Sequence, residues 1–199
     1  MKLYLIAILS LFFMSGCSTT HPAITEYRIN SKLKIDKKES TQCIDKSLKV
    51  AQAFSSGSLM SLDMDYAMGN DKQFTYTQSQ WALSPNNAIS AEIVNLLRDM
   101  YIFKTVQISK SRTRNNMILE TSIDEFIQDY TEDKKRSSAN VKITLTLIDA
   151  KTSKAIATKS FHKKIDAKTL DSDGGVQALN LALKDVLEQS AQWIGGICK

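Results

Sequence analysis

Between Val141 and Leu147 the chain alternates with a period of two. Val141, Ile143, Leu145 and Leu147 are apolar, and Lys142, Thr144 and Thr146 lie between them. Strand side chains point alternately to opposite faces, so this run buries one sheet face and leaves the other in water. Such a sheet needs one covering layer, and the chain supplies two helices for it. Ile89, Ile93, Leu96, Leu97 and Met100 recur at helical spacing behind Ser84-Pro85, a serine cap followed by proline at the first helical position. Val176, Leu179, Leu183, Val186, Leu187, Ser190 and Trp193 mark a longer final helix, ended by Gly195-Gly196. The prediction is an α+β two-layer sandwich: a largely antiparallel sheet of six or seven strands with both helices on one face.

Other stretches fill in the sheet. Ser47 to Phe54 has strand composition, and Ser55-Ser56-Gly57-Ser58 breaks it. Met60, Leu62, Met64, Tyr66 and Met68 then occupy every second position, Gly69-Asn70-Asp71 supplies a turn, and Phe74 and Tyr76 continue on a return strand. The stripe is expected to be mostly buried under helical side chains. A soft methionine face is also suited to acyl chains or partner surfaces, which makes Met60, Met64 and Met68 the alternative contact residues. Phe103 to Ile108 reads as a short strand, followed by a Ser109–Asn116 loop carrying Lys110, Arg112 and Arg114. Met117 to Tyr130 leads through the charged turn Thr131–Ser137 into the alternating strand, and Ala155 to Ile165 returns from it. Only seven glycines and two prolines, with 43% hydrophobic and 24% charged residues, exclude a long low-complexity region and fit one globular domain.

The N-terminus carries an address. Lys2 precedes an apolar run from Leu3 to Met14, which is too short for a confident membrane span and right for a signal peptide. It ends in Ser15-Gly16-Cys17, which resembles the lipobox of bacterial lipoproteins, where cleavage precedes a cysteine that then carries lipid. Ser18 stands where aspartate would favour inner-membrane retention, so the resemblance implies outer-membrane sorting. The alternative is an ordinary secretory signal with a chance cysteine. The expected organisation is a signal peptide over 1–16, a lipidated tether and linker over 17–42, and a single periplasm-facing domain over 43–199.

With Cys17 assigned to lipid, the mature chain keeps Cys43 and Cys198. An exported chain is oxidised, and two thiols allow one pairing, so a Cys43–Cys198 disulfide is expected. It would close a loop of about 155 residues, worth on the order of 4–5 kcal/mol on the chain-entropy model. The alternatives are two free thiols or a redox pair, although the close C-x-x-C spacing of redox pairs is missing.

Catalytic signatures are sparse. His21 falls in the tether and His162 among lysines, and no nucleophile elbow, P-loop or H-E-x-x-H motif occurs. Asp171-Ser172-Asp173-Gly174-Gly175 lacks the remaining ligands of a calcium loop. No catalytic residue, metal or cofactor is therefore expected, and the chain reads as a non-enzyme. The net charge of +5 is spread along the chain, which excludes a nucleic-acid footprint. Arg112 and Arg114 are the candidates for contact with phosphate headgroups or an acidic partner.

One resemblance spans nearly the whole body, from about Leu48 to Trp193. Trp81 before Pro85 and a helix, Phe103 with Val106, Leu119 through Phe126, the strand pair 141–149 and 156–161, and Val176, Ala178, Asn180, Ala182, Leu183 and Trp193 form its series. This pattern resembles the ABC-type transport auxiliary lipoprotein family, which includes the paraquat-inducible protein C type. The resemblance implies a fold similar to the TolB N-terminal domain. It also implies an outer-membrane lipoprotein that serves an MCE-type, Mla-like ABC system moving phospholipid across the envelope. Its implied partners are the periplasmic MCE-domain component and membrane phospholipid, with homo-oligomerisation left open. A structural or assembly lipoprotein without lipid contact is the other reading.

Overall fold

A computed structural model describes residues 22–33, 43–69 and 71–198. Cys17 and the signal peptide lie outside them. Among the described residues nine strands form one mixed sheet: β1 (Thr25–Tyr27), β2 (Ser47–Val50), β3 (Phe54–Ser55), β4 (Asp63–Met68), β5 (Lys72–Trp81), β6 (Thr105–Gln107), β7 (Met117–Tyr130), β8 (Ser137–Asp149) and β9 (Lys154–Asp166). Two α-helices join them, α1 (Pro85–Asp99) and α2 (Ser172–Ile197).

Strand β7 organises the sheet. One of its edges pairs with β8 along the whole strand, from Met117 opposite Asp149 to Tyr130 opposite Ser137. Its other edge is shared by three short parallel strands in succession, with β2 beside Met117–Leu119, β3 beside Ser122–Ile123 and β4 beside Gln128–Tyr130. The long ladders β4–β5, β7–β8 and β8–β9 are antiparallel, as expected. The parallel pairs are all three residues or shorter.

A register shift between Ile123 and Glu125 re-aims β7. Before it, Leu119, Thr121 and Ile123 face the core; after it, Phe126 and Gln128 do. One extra residue on one strand has this effect on every side chain that follows. Phe126 thereby meets Trp81, with ring centroids 5.7 Å apart.

Both helices cover the face to which Val141, Ile143, Leu145 and Leu147 point, all of them fully buried. Helix α1 packs over β2, β6 and β7, helix α2 over β7, β8 and β9, and the helices touch each other. The opposite face carries Thr144 bonded to Ser160 and Thr146 bonded to Thr158, a hydroxyl ladder in water. Proline starts α1 as expected, but the Ser84 hydroxyl makes no cap bond. It donates to the Asn86 side chain at 2.8 Å instead.

Several expectations change, beginning with the sheet, which holds nine strands among the described residues where six or seven were expected. The body begins before Cys43, because β1 pairs with β5 and Tyr27, Ile29 and Leu33 pack against the core. The methionine stripe is not one buried face. Gly57–Met60 winds into a 3-10 turn, leaving Met60 60% and Leu62 43% exposed, and β4 starts only at Asp63. Met64 is buried at 3%, so it belongs to the core and offers no surface to a partner. Tyr66 and Met68 are half-buried.

Cys43 and Cys198 are bonded, with their Cα atoms 5.2 Å apart. The bond fastens the start of β2 to the end of α2, as parity and compartment predicted. No helix among the described residues is long and apolar enough to cross a membrane.

Candidate functional site

The described residues present two surfaces of functional character, one at each end of β7. The first is an open cleft of about 790 Å³ at its beginning, where Lys46, Lys49, Arg112, Arg114 and Lys151 converge. The loop before β7 is held by short polar links. Lys49 donates to the Ser111 carbonyl at 2.9 Å, the Ser47 amide donates to the Asn116 side chain at 2.9 Å, and the Ala150 amide donates to the Asn116 carbonyl at 2.9 Å. These bonds fix the backbone and leave Arg112 and Arg114 exposed and without an ion pair among the described residues.

Asp149 is the acid of this cleft, but its carboxylate is committed elsewhere. It accepts from the Thr152 amide at 2.8 Å, the Lys151 amide at 3.0 Å and the Thr152 hydroxyl at 2.9 Å. The Thr152 amide leads in holding its pKa below the usual carboxylate range. The turn thus holds the one carboxylate that lines the cleft among the described residues as an anion bonded to its own backbone. Free guanidinium and ammonium groups around a cleft can take an anion by charge-assisted hydrogen bonds.

The second surface lies at the far end of the sheet, where the β4–β5 hairpin meets the end of β7. Tyr66 sits among three other rings, with centroids 5.4 Å from Phe74, 4.6 Å from Tyr76 and 5.4 Å from Tyr130. Beneath them is a polar knot. Tyr76 donates to the Gln128 carbonyl oxygen at 2.9 Å, and the Gln128 amide donates to the Ser137 hydroxyl at 3.0 Å and the Asp171 carbonyl at 3.2 Å. The Tyr76 and Tyr130 hydroxyls lie 2.7 Å apart. Burial, with the neighbouring phenol Tyr130 adding to it, pushes the Tyr76 pKa far above the ordinary phenol range. Both rings therefore stay neutral donors across the physiological range. The ring edges away from the knot remain open, and Phe74 is 41% exposed.

The contact residues expected from sequence therefore separate. Arg112 and Arg114 line the basic cleft, Met68 lies in the hairpin beside the rings, and Met60 is exposed on the 3-10 turn next to α1. The aromatic cluster was missed beyond Tyr66, Phe74 and Tyr76. Its remaining ring, Tyr130, and the Gln128 amide beneath it reach this face because of the shift in β7. His162 is exposed in β9 opposite Lys142, and no three His, Cys, Asp or Glu side chains among the described residues are grouped to hold a metal.

No protein-family model matches the chain, and neither does any of the curated proteins. Among solved structures, the crystal structure of protein XCC0632 from Xanthomonas campestris, assigned to DUF330, is similar with a TM-score of 0.76 at 17% identity, over 86% of this chain and 96% of that one. A crystal structure of an uncharacterized protein matches with a TM-score of 0.66 at 15% identity, over 86% and 99% of the two chains. At these identities the likeness establishes a shared fold, the same mixed sheet with its helices on one face.

Proposed function

We propose that this chain is an outer-membrane lipoprotein and a non-enzymatic accessory of an MCE-type, Mla-like ABC transport system. Its work is to dock the periplasmic MCE-domain component at the outer membrane while phospholipid crosses the envelope. The observation that carries the reading is a lipobox, Ser15-Gly16-Cys17, joined to a body whose order of elements follows the auxiliary lipoprotein pattern from Leu48 to Trp193. The similarity to a DUF330 protein along almost its full length supports the same body plan. The free Arg112 and Arg114 at one end of β7 suit an acidic docking partner, since exposed charge steers encounter more than it adds affinity.

The test is affinity purification of the tagged full-length lipoprotein from outer membranes in mild detergent. An MCE-domain protein recovered with it, and lost on Arg112→Glu with Arg114→Glu, is the expected result. Recovery of envelope scaffold proteins without an MCE-domain component would favour the assembly-lipoprotein reading and overturn this one.

A further inference from the structure

We infer that a small acidic cleft midway along β7 receives an arginine side chain carried on an extended segment of a protein partner. The inference goes beyond docking at Arg112 and Arg114 and needs neither those residues nor the lipid anchor. The cleft exists because the sheet is incomplete there. On one edge of β7 the short parallel strands pair with Met117–Leu119, Ser122–Ile123 and Gln128–Tyr130. No strand among the described residues pairs with that edge from Asp124 to Ile127. Two irregularities flank the gap: β7 shifts register against β8 between Ile123 and Glu125, and β4 shifts against β5 between Asp63 and Asp65. Breaks of this kind re-aim side chains. Here they bring Asp63, Asp65, Asp124 and Glu125 around one cleft of about 190 Å³.

The charge of this cleft is uncancelled. None of the four carboxylates has an ion pair among the described residues. Neutral donors hold three of them in place. The Ser61 hydroxyl donates to Asp63 at 3.1 Å, Gln73 and Thr75 donate to Asp65 at 2.8 and 2.6 Å, and Ser122 and Thr144 donate to Asp124 at 2.8 and 2.7 Å. Glu125 is exposed, and Lys142 lies across from it on β8 without forming an ion pair. Four carboxylates around one small cleft repel one another, and a bound cation relieves that repulsion. No three of them are grouped to hold a metal ion, so the cation is an organic one.

The floor identifies what carries that cation. Trp81 and Phe126 form it, with ring centroids 5.7 Å apart, and Leu59 adds an apolar wall. Trp81 is only 4% exposed, yet its indole N–H makes no hydrogen bond among the described residues and is not sealed from solvent, so it opens onto the cleft. A buried indole N–H ordinarily has an acceptor. A peptide carbonyl supplies one, and a bare ammonium does not. An arginine on that peptide lays its methylene stem along the rings and presents a planar fork to the carboxylates. The open edge of β7 offers backbone groups to an extended segment. The volume lies below the ~300–1,000 Å³ of pockets for drug-sized ligands, which suits a single side chain.

Trp81 and Trp193 are the two tryptophans of the chain, so isotope-labelled tryptophan gives one indole N–H resonance inside the cleft and one outside it. The test is magnetic resonance of the full-length lipidated protein in detergent micelles, titrated with the capped tripeptide Gly-Arg-Gly. Gly-citrulline-Gly serves as its neutral isostere. The expected result is a saturable shift of the Trp81 resonance with the arginine peptide alone, while Trp193 stays in place. Asp63→Asn combined with Glu125→Gln should weaken that binding about tenfold. An unmoved Trp193 resonance shows that the variant is folded; if it moves, Glu125→Gln alone, at an exposed position, makes the comparison. No shift of Trp81 at tens of millimolar peptide would overturn the inference. An equal shift with the citrulline peptide would mean that charge is not read, and an equal shift with Gly-Lys-Gly that the fork is not, and either would overturn it. A shift that follows protein concentration without peptide would assign the cleft to a second copy instead. None of these outcomes alters the recovery of an MCE-domain component, which tests the docking reading separately.

Discussion

Gly175, in the first turn of α2, lies so close over Gln128 that a Cβ placed on it would fall 1.8 Å from the Gln128 amide oxygen. That oxygen cannot swing aside cheaply, because it accepts from Tyr76 while the amide nitrogen donates to Ser137 and to the Asp171 carbonyl. Alanine would ordinarily gain close to ~1 kcal/mol over glycine inside a helix. Here overpacking and a broken buried network should outweigh it, so Gly175→Ala is expected to lose about 1–3 kcal/mol. Urea titration checks the sign. In a Gln128→Ala background the same substitution should cost less, and the cycle measures the coupling.

That contact also separates what the sequence makes legible from what it hides. Periodicity identified both helices and β8, because Val141 through Leu147 and Ile89 through Leu97 repeat with one face throughout. It placed the start of the last helix too late, near Val176, because Gly174-Gly175 reads as a breaker. The glycines serve close approach instead: a Cβ on Gly174 would lie 2.5 Å from the Thr169 carbonyl oxygen. Alternation also over-extended the methionine stripe, since nothing local distinguishes Met60 on a 3-10 turn from Met64 on a strand. The sites divided in the same way. Arg112 and Arg114 were visible as free charge on a loop, whereas Tyr130 joins the aromatic cluster only through a register shift set by the pairing of β7 with β8.

Loss of the Cys43–Cys198 bond should weaken the domain strongly, because it joins elements 155 residues apart. Removing a native bridge of this kind typically costs ~2–5 kcal/mol, and a domain of this size loses roughly 2–4 °C per kcal/mol. Cys198→Ser is therefore expected to melt about 5–15 °C below the parent under oxidising conditions. Under strong reductant the two should converge, which separates the bond from side-chain packing. Membrane attachment through Cys17 should be unaffected, as fractionation would register.

Asp171 caps α2, and its contribution should depend on pH. Its carboxylate accepts from the Gly174 amide at 2.9 Å and the Thr169 hydroxyl at 2.6 Å. The Gly174 amide leads in lowering its pKa. A group whose folded pKa is depressed stabilises fully above its unfolded pKa, about 3.9 for aspartate, and loses that stabilisation as pH falls through the folded value. Asp171→Ala should cost ~1 kcal/mol at pH 7, the usual scale of an N-cap. The gap between variant and parent should narrow steadily below about pH 4. A gap that stays constant from pH 7 into that range would mean the loss comes from packing, with the carboxylate charge uninvolved.

Met60 and Met64 lie four residues apart on the segment that alternation assigned to a single face, and they should answer the same substitution in opposite ways. Met64 is 3% exposed within the core and Met60 is 60% exposed on the turn beside α1. Aspartate at Met64 would carry an unpaired carboxylate into apolar surroundings, at a cost of several kcal/mol or a strongly raised pKa. Aspartate at Met60 keeps its charge in water and should stay within about 0.5 kcal/mol of the parent. Thermal melts of Met64→Asp and Met60→Asp make the comparison directly. If Met60→Asp keeps its melting temperature yet fails to recover the MCE-domain component, the exposed turn is part of the docking surface. If Met64→Asp melts with the parent, β4 is not held under the core as described, and the hairpin that carries Tyr66 and Phe74 has a different seat.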